Sequence, residues 1–352
     1  MSQTQPLPRK IRLAIIRIDA LGDLLVTLPI QRAFDAFNKV NPQTIVIETH
    51  WVVNTGFKTL VNLGLGATTT STEVPQGSRF KKIIFFFHLF RSWHFDAILF
   101  VYAPWWIPIL SAFLAPFTVK FGRKSQWWSF LILTHSLRQK RSLAEKHEWE
   151  YNWELALFTL KNICHNTFSR ADFASTINPS WPLPIRPPTR NGLLPSLGLS
   201  PKKYIVVHPG MRGSAQNLDP HQYRELIQKL LTWSYPIVIT GTSHDYRWLA
   251  PIKNIHHPKL VWLIDALNLQ ELAYLLSQAT VVIAPSTGVC HLAASCGTPV
   301  IAIYPNLVLS QSPTRWRPLG PHVTLLPIPK PSESSWLEFY STVNTIVERH
   351  CS

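Results

Sequence analysis

Residues 278–306, QATVVIAPSTGVCHLAASCGTPVIAIYPN, decide the fold. Val281 to Ala284 is a short apolar run of the kind that parallel sheets bury on both faces. Pro285-Ser286-Thr287-Gly288 breaks the run, and Ser and Thr are natural caps for a helix that follows. His291 to Ser295 reads as that helix, with Leu292 and Ala293 turned to a sheet. Gly297 stands where a helix C-terminal glycine belongs, and Pro299 prevents continuation. Val300 to Tyr304 is the next buried strand. A capped helix N-terminus after a parallel strand offers backbone N–H groups to a phosphate. An ordinary βαβ unit without a ligand fits this stretch equally well.

The same alternation extends back through the second half of the chain. Lys203 to Val207 reads as a strand, His208 to Asn217 as a Gly- and Ser-containing loop, and His221 to Trp233 as a helix. Pro236 to Thr240 is a strand that ends in Gly241-Thr242-Ser243-His244-Asp245. Leu260 to Ile264 is a further strand and Leu269 to Gln278 a helix. Strands alternating with helices give a doubly wound parallel sheet. Its loops bring Gly210, Ser214, Gly241, Ser286, Thr287 and Gly288 to one edge. There is no GxGxxG and no GxxxxGK[ST], which argues against a nicotinamide or flavin enzyme and against a P-loop NTPase. Several backbone anion sites at one edge fit a diphosphate-linked ligand.

The first half begins with a strand, Ile11 to Ile18, and a turn, Asp19-Ala20-Leu21-Gly22-Asp23. A helix follows over Leu24 to Asn38, strained early by Pro29. Asp23 is either an N-cap or a carboxylate aimed into a cleft. Thr44 to Glu48 is a second strand and Gly64 to Gly77 a loop. The uncharged stretch from Ala97 to Val119 is long enough to cross a bilayer. Pro104, Pro108 and Pro116 favour instead a buried strand, Ala97 to Tyr102, and a proline-broken amphipathic helix carrying Trp105 and Trp106. A further helix opens at His147 and runs to about Leu160. Residues 178–203 hold seven prolines and read as a stiff linker. The expected division is 1–178, a first domain with a basic, Trp-rich segment; 179–203, linker; 204–330, a second domain; and 331–352, a C-terminal helix.

The chain has 352 residues, 34 Lys and Arg against 19 acidic residues, and only 15% charged residues against 46% hydrophobic. A net charge of +15 favours anionic partners. The sequence carries no nucleic-acid signature. Its 14 Trp and 18 Phe, many beside cations, suit a membrane interface. The basic, aromatic block runs through Arg123 and Lys124 to Arg141. Cys164, Cys290, Cys296 and Cys351 form no CxxC pair and no zinc spacing, which reads as reduced thiols in a cytoplasmic compartment. The polar opening residues do not read as a signal peptide.

Four stretches carry a resemblance to a known family. They are IRLAIIRIDALGDLLVTLPI, VVHPGMRGSAQNLDPHQY, SHDYRW after PIVITGT, and LNLQELAYLLSQATVVIAPSTGVCHLAASCGTPVIAIYPN with TRWRPLG beyond it. Together they resemble glycosyltransferase family nine, the heptosyltransferases of lipopolysaccharide assembly. The likeness runs in order over nearly the whole chain and is weakest from about 50 to 145.

The resemblance implies an α/β GT-B architecture, two Rossmann-like doubly wound domains facing across a cleft, and inverting transfer without a metal or other cofactor. The implied donor is a nucleotide sugar such as ADP-heptose. The implied acceptor is a lipid-linked anionic saccharide at the inner leaflet, which makes the protein cytoplasmic and peripherally membrane-associated. Asp23 matches the general base, and Asp19 is the rival carboxylate. Gly22, Arg123 and Lys124 fall on the acceptor side. Donor contacts fall to Gly210, Ser214, Gln216, Asp245, Ser286, Thr287, Gly288, Val289 and His291. Asp245 stands where a carboxylate can accept from a ribose; His291 matches a family histidine and reads equally as a core residue bracing the loop. Two departures stand out. Ser286 replaces the family's frequent Asp, and Gln216 occupies the usual position of a Lys or Arg. They keep open a nucleotide-sugar-binding homologue without turnover. A GT-B-like nucleotide-sugar epimerase is a further alternative, but it leaves the Gly22-Asp23 turn unexplained.

Overall fold

The structure is a computed structural model that describes residues 8–65, 69–124, 129–164, 192–211, 216–305 and 311–351. Ser214, Arg212 and most of the proline-rich stretch therefore lie outside the described residues. The chain divides into two compact units, Met1–Arg141 with Glu148–Asn178, and Ser142–His147 with Pro179–Ser352.

The first unit is built on a six-stranded parallel sheet. Its strands are β1 (Arg9–Arg17), β2 (Ile45–Asn54), β3 (Thr70–Val74), β4 (Ala97–Tyr102), β5 (Val119–Arg123) and β6 (His135–Leu137). Their order is β3-β2-β1-β4-β5-β6, so the winding reverses between β1 and β4. β1 and β4 are apolar runs buried on both faces, as central parallel strands require. The helix expected over 24–38 is broken. A short helix Leu21–Leu25 is followed by a 3₁₀ turn Leu28–Ile30, then by Gln31–Val40. Pro29 lies in the 3₁₀ turn, where its missing N–H costs least. The expected loop 64–77 contains β3, a short polar edge strand, TSTEV, without an apolar pattern to announce it.

The stretch Ala97–Val119 forms β4 and the helix Trp106–Leu114. Among the described residues no helix is long and apolar enough to cross a membrane. Helix Arg79–Ser92 turns Phe86, Leu89 and Phe90 inward and leaves Phe80, Ile84 and Phe87 exposed. That spacing is one helical stripe. Its neighbour Trp106–Leu114 packs against it through the edge-on Phe86 and Trp106 rings at 5.8 Å. Phe113 is 78% exposed and Phe117, beyond that helix, 98%.

The second unit repeats the plan with β7 (Ile205–Val207), β8 (Ile237–Gly241), β9 (Leu260–Ile264), β10 (Val281–Pro285), β11 (Val300–Tyr304) and β12 (Val323–Pro327). The order β12-β11-β10-β7-β8-β9 is the same winding, reversing between β7 and β10. Helix Gly288–Ser295 starts earlier than expected, directly after its Thr287 cap, and Gly297 after it has φ +78°. The C-terminal helix Glu333–Cys351 buries Phe339, Tyr340, Val343 and Val347 in this unit's core.

Candidate functional site

In sheets of this order ligands bind beyond the strand C-terminal ends, where the winding reverses. Each unit places polar groups there.

In the first unit that position holds the end of β1. Arg17 is its last residue, and its side chain is 1% exposed. Arg17 Nη2 lies 2.5 Å from Asp23 Oδ1, and Nε lies 2.8 Å from Asp19 Oδ1. Asp23 is in the first turn of helix Leu21–Leu25, whose N-cap is Ala20, so its carboxylate is aimed at Arg17 and does not cap the helix. Burial pushes the Asp19 carboxyl up to about 7; Arg17 opposes this and Asp23 adds to it. Thr27 Oγ1 donates to Asp23 O at 2.7 Å and in turn accepts from Asn152 Nδ2 at 3.0 Å. Gly22 is buried, and its carbonyl accepts from Val26 N.

Arg123 is engaged inside the first unit. It donates to Val101 O at 2.6 Å, Asn152 Oδ1 at 2.5 Å and Gln139 Oε1 at 2.9 Å. Burial lowers its pKa to about 9. Glu148, fully buried, takes the nearby Arg141 at 2.5 Å. Lys124 is exposed, and its backbone N–H pairs with Leu137 O. The network of Arg123, Asn152 and Thr27 reaches the Asp23 backbone. Sequence reading missed Asn152, which sits mid-helix in Glu148–Ile163 with no local signal.

In the second unit β7 and β10 are adjacent, so the loops after them start side by side. Thr287 Oγ1 accepts from Cys290 N, which leaves the N–H groups of Gly288 and Val289 without partners within the helix. His291 is buried one turn in, and its Nδ1 has no hydrogen-bond partner among the described residues. Burial, then the neighbouring His147, push its pKa down to about 3, so the ring is neutral. His147 Nε2 contacts Arg317 O at 2.7 Å. The Tyr304 hydroxyl donates to Trp316 O at 2.5 Å, beside Ser286.

The described residues of the loop after β7 are held by hydrogen bonds. Asn217 Nδ2 donates to Pro209 O at 2.9 Å and Asn217 Oδ1 accepts from Tyr223 Oη at 2.7 Å. Gln216 N donates to Gln311 Oε1 at 3.3 Å. Gly210 packs onto Asp245: a Cβ at 210 would lie 2.2 Å from Asp245 Cγ. Asp245 Oδ2 is occupied by Thr242 N at 2.8 Å and Thr242 Oγ1 at 2.9 Å. The structure thus brings Gly210 and Asp245 together, and Ser286, Thr287, Gly288, Val289 and His291 together. His208, not singled out by the sequence, pairs with Thr240 Oγ1 at 3.0 Å, and burial lowers its pKa to about 4 against the pull of Asp245.

Two Rossmann-ordered sheets in one chain, each with polar groups at its reversal point, define the GT-B class of fold. The chain belongs to glycosyltransferase family 9 (heptosyltransferase), whose sequence profile matches residues 133–335. A Haemophilus influenzae protein provisionally named a glycosyltransferase is 34% identical over 233 residues, 63% of this chain. The aligned part spans 64% of that relative's length. The E. coli ADP-heptose LPS heptosyltransferase II shares the fold at a TM-score of 0.72 and 14% identity, over 97% of this chain and 100% of that one. The E. coli heptosyltransferase WaaC, solved with ADP, does so at 0.65 and 17%, again over 97% and 100%.

Proposed function

We propose that this protein is an inverting, metal-independent glycosyltransferase that moves a heptose from ADP-heptose to a lipopolysaccharide core or a related lipid-linked saccharide. The observation that carries the reading is the N-terminus of helix Gly288–Ser295. Two N–H groups there have no partner within the helix, a setting that favours an anion, and the Nδ1 of the buried His291 nearby has no hydrogen-bond partner among the described residues. Family membership and the ADP bound to the E. coli relative support a nucleoside diphosphate as that anion. Donors aimed at the leaving diphosphate stabilise the charge that develops on it. Asp23 is the general base: it takes the proton of the acceptor hydroxyl as that oxygen attacks the anomeric carbon from the face opposite the diphosphate.

The protein works at the cytoplasmic face of an anionic membrane. Phe80, Ile84, Phe87, Phe113 and Phe117 are exposed, and Arg79, Lys81 and Arg91 are exposed on the same helix as the first three. Residues 74–95 contain no acidic residue. Arg79 lies over the Trp105 ring at 5.4 Å. Apolar side chains ringed by cations complement acidic headgroups over an acyl layer.

The second reading, binding without turnover, rests on Gln216 and Ser286. Thermal unfolding with ADP, UDP, GDP and CMP tests the donor assignment that both readings share. A ligand at about 100 times its Kd adds about 2.7 kcal/mol to the folded state. A shift selective for ADP supports the donor assignment. A shift selective for another nucleotide replaces the sugar, and no shift at all removes the nucleotide-sugar reading.

A further inference from the structure

Arg17 is buried and carries one positive charge, yet two carboxylates from the same turn approach it, Asp19 at Nε and Asp23 at Nη2. Both residues are fixed through their backbones. Asn54 Nδ2 donates to Asp19 O at 2.6 Å, and Thr27 Oγ1 donates to Asp23 O. The two carboxylates are not equivalent. Asp23 Oδ1 accepts a hydrogen bond from Arg17, whereas Arg17 Nε and Asp19 Oδ1 sit at ion-pair distance without an aligned one. Asp19 is also less exposed, 18% against 26%.

We propose that Asp19 is a positioning residue for Asp23: by dividing the buried Arg17 guanidinium between two carboxylates, it leaves Asp23 able to accept a proton. The inference rests on the reading of Asp23 as the general base. A carboxylate clamped alone by a buried guanidinium holds its charge too well to take a proton at neutral pH. A second carboxylate on the same cation spends part of that attraction and adds repulsion of its own. Other groups also face the cluster. Arg123 adds positive charge and is held by its own partners; the Tyr102 ring lies 5.8 Å from Arg17 Cζ; Asn54 on β2 is neutral. Burial raises the Asp19 carboxyl to about 7, so the full sharing acts above that pH, where Asp19 is charged, and below it the two acids hold one proton between them.

The test needs no sugar donor. The full chain is labelled with aspartate carrying ¹³C in the side-chain carboxyl, and the resonances are followed by NMR from pH 3 to 9 in the native protein, Asp19→Asn and Asp23→Asn. The expected result is a drop of about one pH unit or more in the Asp23 midpoint in Asp19→Asn, and a drop in the Asp19 midpoint in Asp23→Asn. An Asp23 midpoint unchanged in folded Asp19→Asn overturns the proposal. Asp19→Glu keeps the charge and is expected to hold the Asp23 midpoint near its native value; a midpoint that falls as far as in Asp19→Asn also overturns it. In transfer assays with ADP-heptose, Asp19→Asn is expected to move the acid limb of the rate profile to lower pH. Loss of transfer as complete as in Asp23→Asn makes Asp19 itself the base and overturns the proposal. Absence of transfer in the native protein contradicts only the assigned reaction.

Discussion

Asp23 Oδ1 and Arg17 Nη2 are 2.5 Å apart at the C-terminal end of β1, with the Arg17 side chain almost wholly enclosed. The pair puts a partly exposed carboxylate where the sheet winding reverses, and it holds that carboxylate by charge as well as by the backbone. Arg17 also carries the electrostatics of the turn.

Replacing Arg17 by Met removes the cation that Asp19 and Asp23 share. Breaking a buried pair this way costs about 3–5 kcal/mol. Both acids keep some water, so the low end, about 3 kcal/mol, is expected at pH 8. At pH 5 Asp19 is protonated, and the loss shrinks. Urea midpoints at the two pH values measure the difference.

Gly210→Ala drives a Cβ into Asp245, whose carboxylate is already fixed by Thr242. Overpacking of this kind costs about 1–3 kcal/mol. The loop after β7 is expected to shift as well, weakening ADP binding in calorimetry. Full stability with full ADP affinity in the Ala variant contradicts this placement of the loop.

Three buried histidines set the response to acid. Burial lowers His50 and His208 to about 4 and His291 to about 3, with Lys58 adding at His50 and His147 at His291. A group lowered on folding stabilises above its unfolded value, near 6.5, and loses that stabilisation as pH falls toward its folded value. Asp19 runs the other way. Its raised pKa means that its folded, protonated form gains as pH falls from about 7 toward the ordinary carboxylate range. His350 is lowered as well and Asp35 raised, both chiefly by burial, so four losses face two gains, and unfolding midpoints are expected to fall between pH 7 and 4. His291→Gln is expected to flatten that fall.

Phe113→Asp with Phe117→Asp tests the exposed face. Each Phe buried in an acyl layer contributes about 1.5–3 kcal/mol. The double variant is therefore expected to lose at least about tenfold in binding to phosphatidylglycerol vesicles, with an unchanged melting temperature. Native binding to these vesicles that matches binding to phosphatidylcholine alone contradicts the charge complementarity.

The sequence made the central strands legible because burial on both faces leaves an uninterrupted apolar run, as in β4 and β10. It made the edges illegible. β3, TSTEV, is polar and half exposed, and β6 is three residues long. The division of the helix at Pro29 was legible as strain but not as a 3₁₀ turn. At the candidate site, the Gly-Asp turn and the Pro-Ser-Thr-Gly cap could be read from residue type alone. The partnership of Arg17 with both acids could not, because a cation ending an apolar strand reads as a solvated boundary until burial is known. The Gly210–Asp245 contact joins residues on successive βα loops and has no local signature.

The most direct test of the central claim is transfer itself. Native protein and Asp23→Asn are incubated with ADP-heptose and a membrane lipid extract containing lipopolysaccharide core acceptors, and ADP release and lipid masses are measured. The account predicts ADP release and a lipid product heavier by one sugar in the native sample. It predicts a fall of about 10²–10⁴-fold in Asp23→Asn, the contribution of a positioned base, with ADP binding retained. Equal turnover in both proteins contradicts the account, and ADP-heptose bound without any product selects the non-catalytic reading.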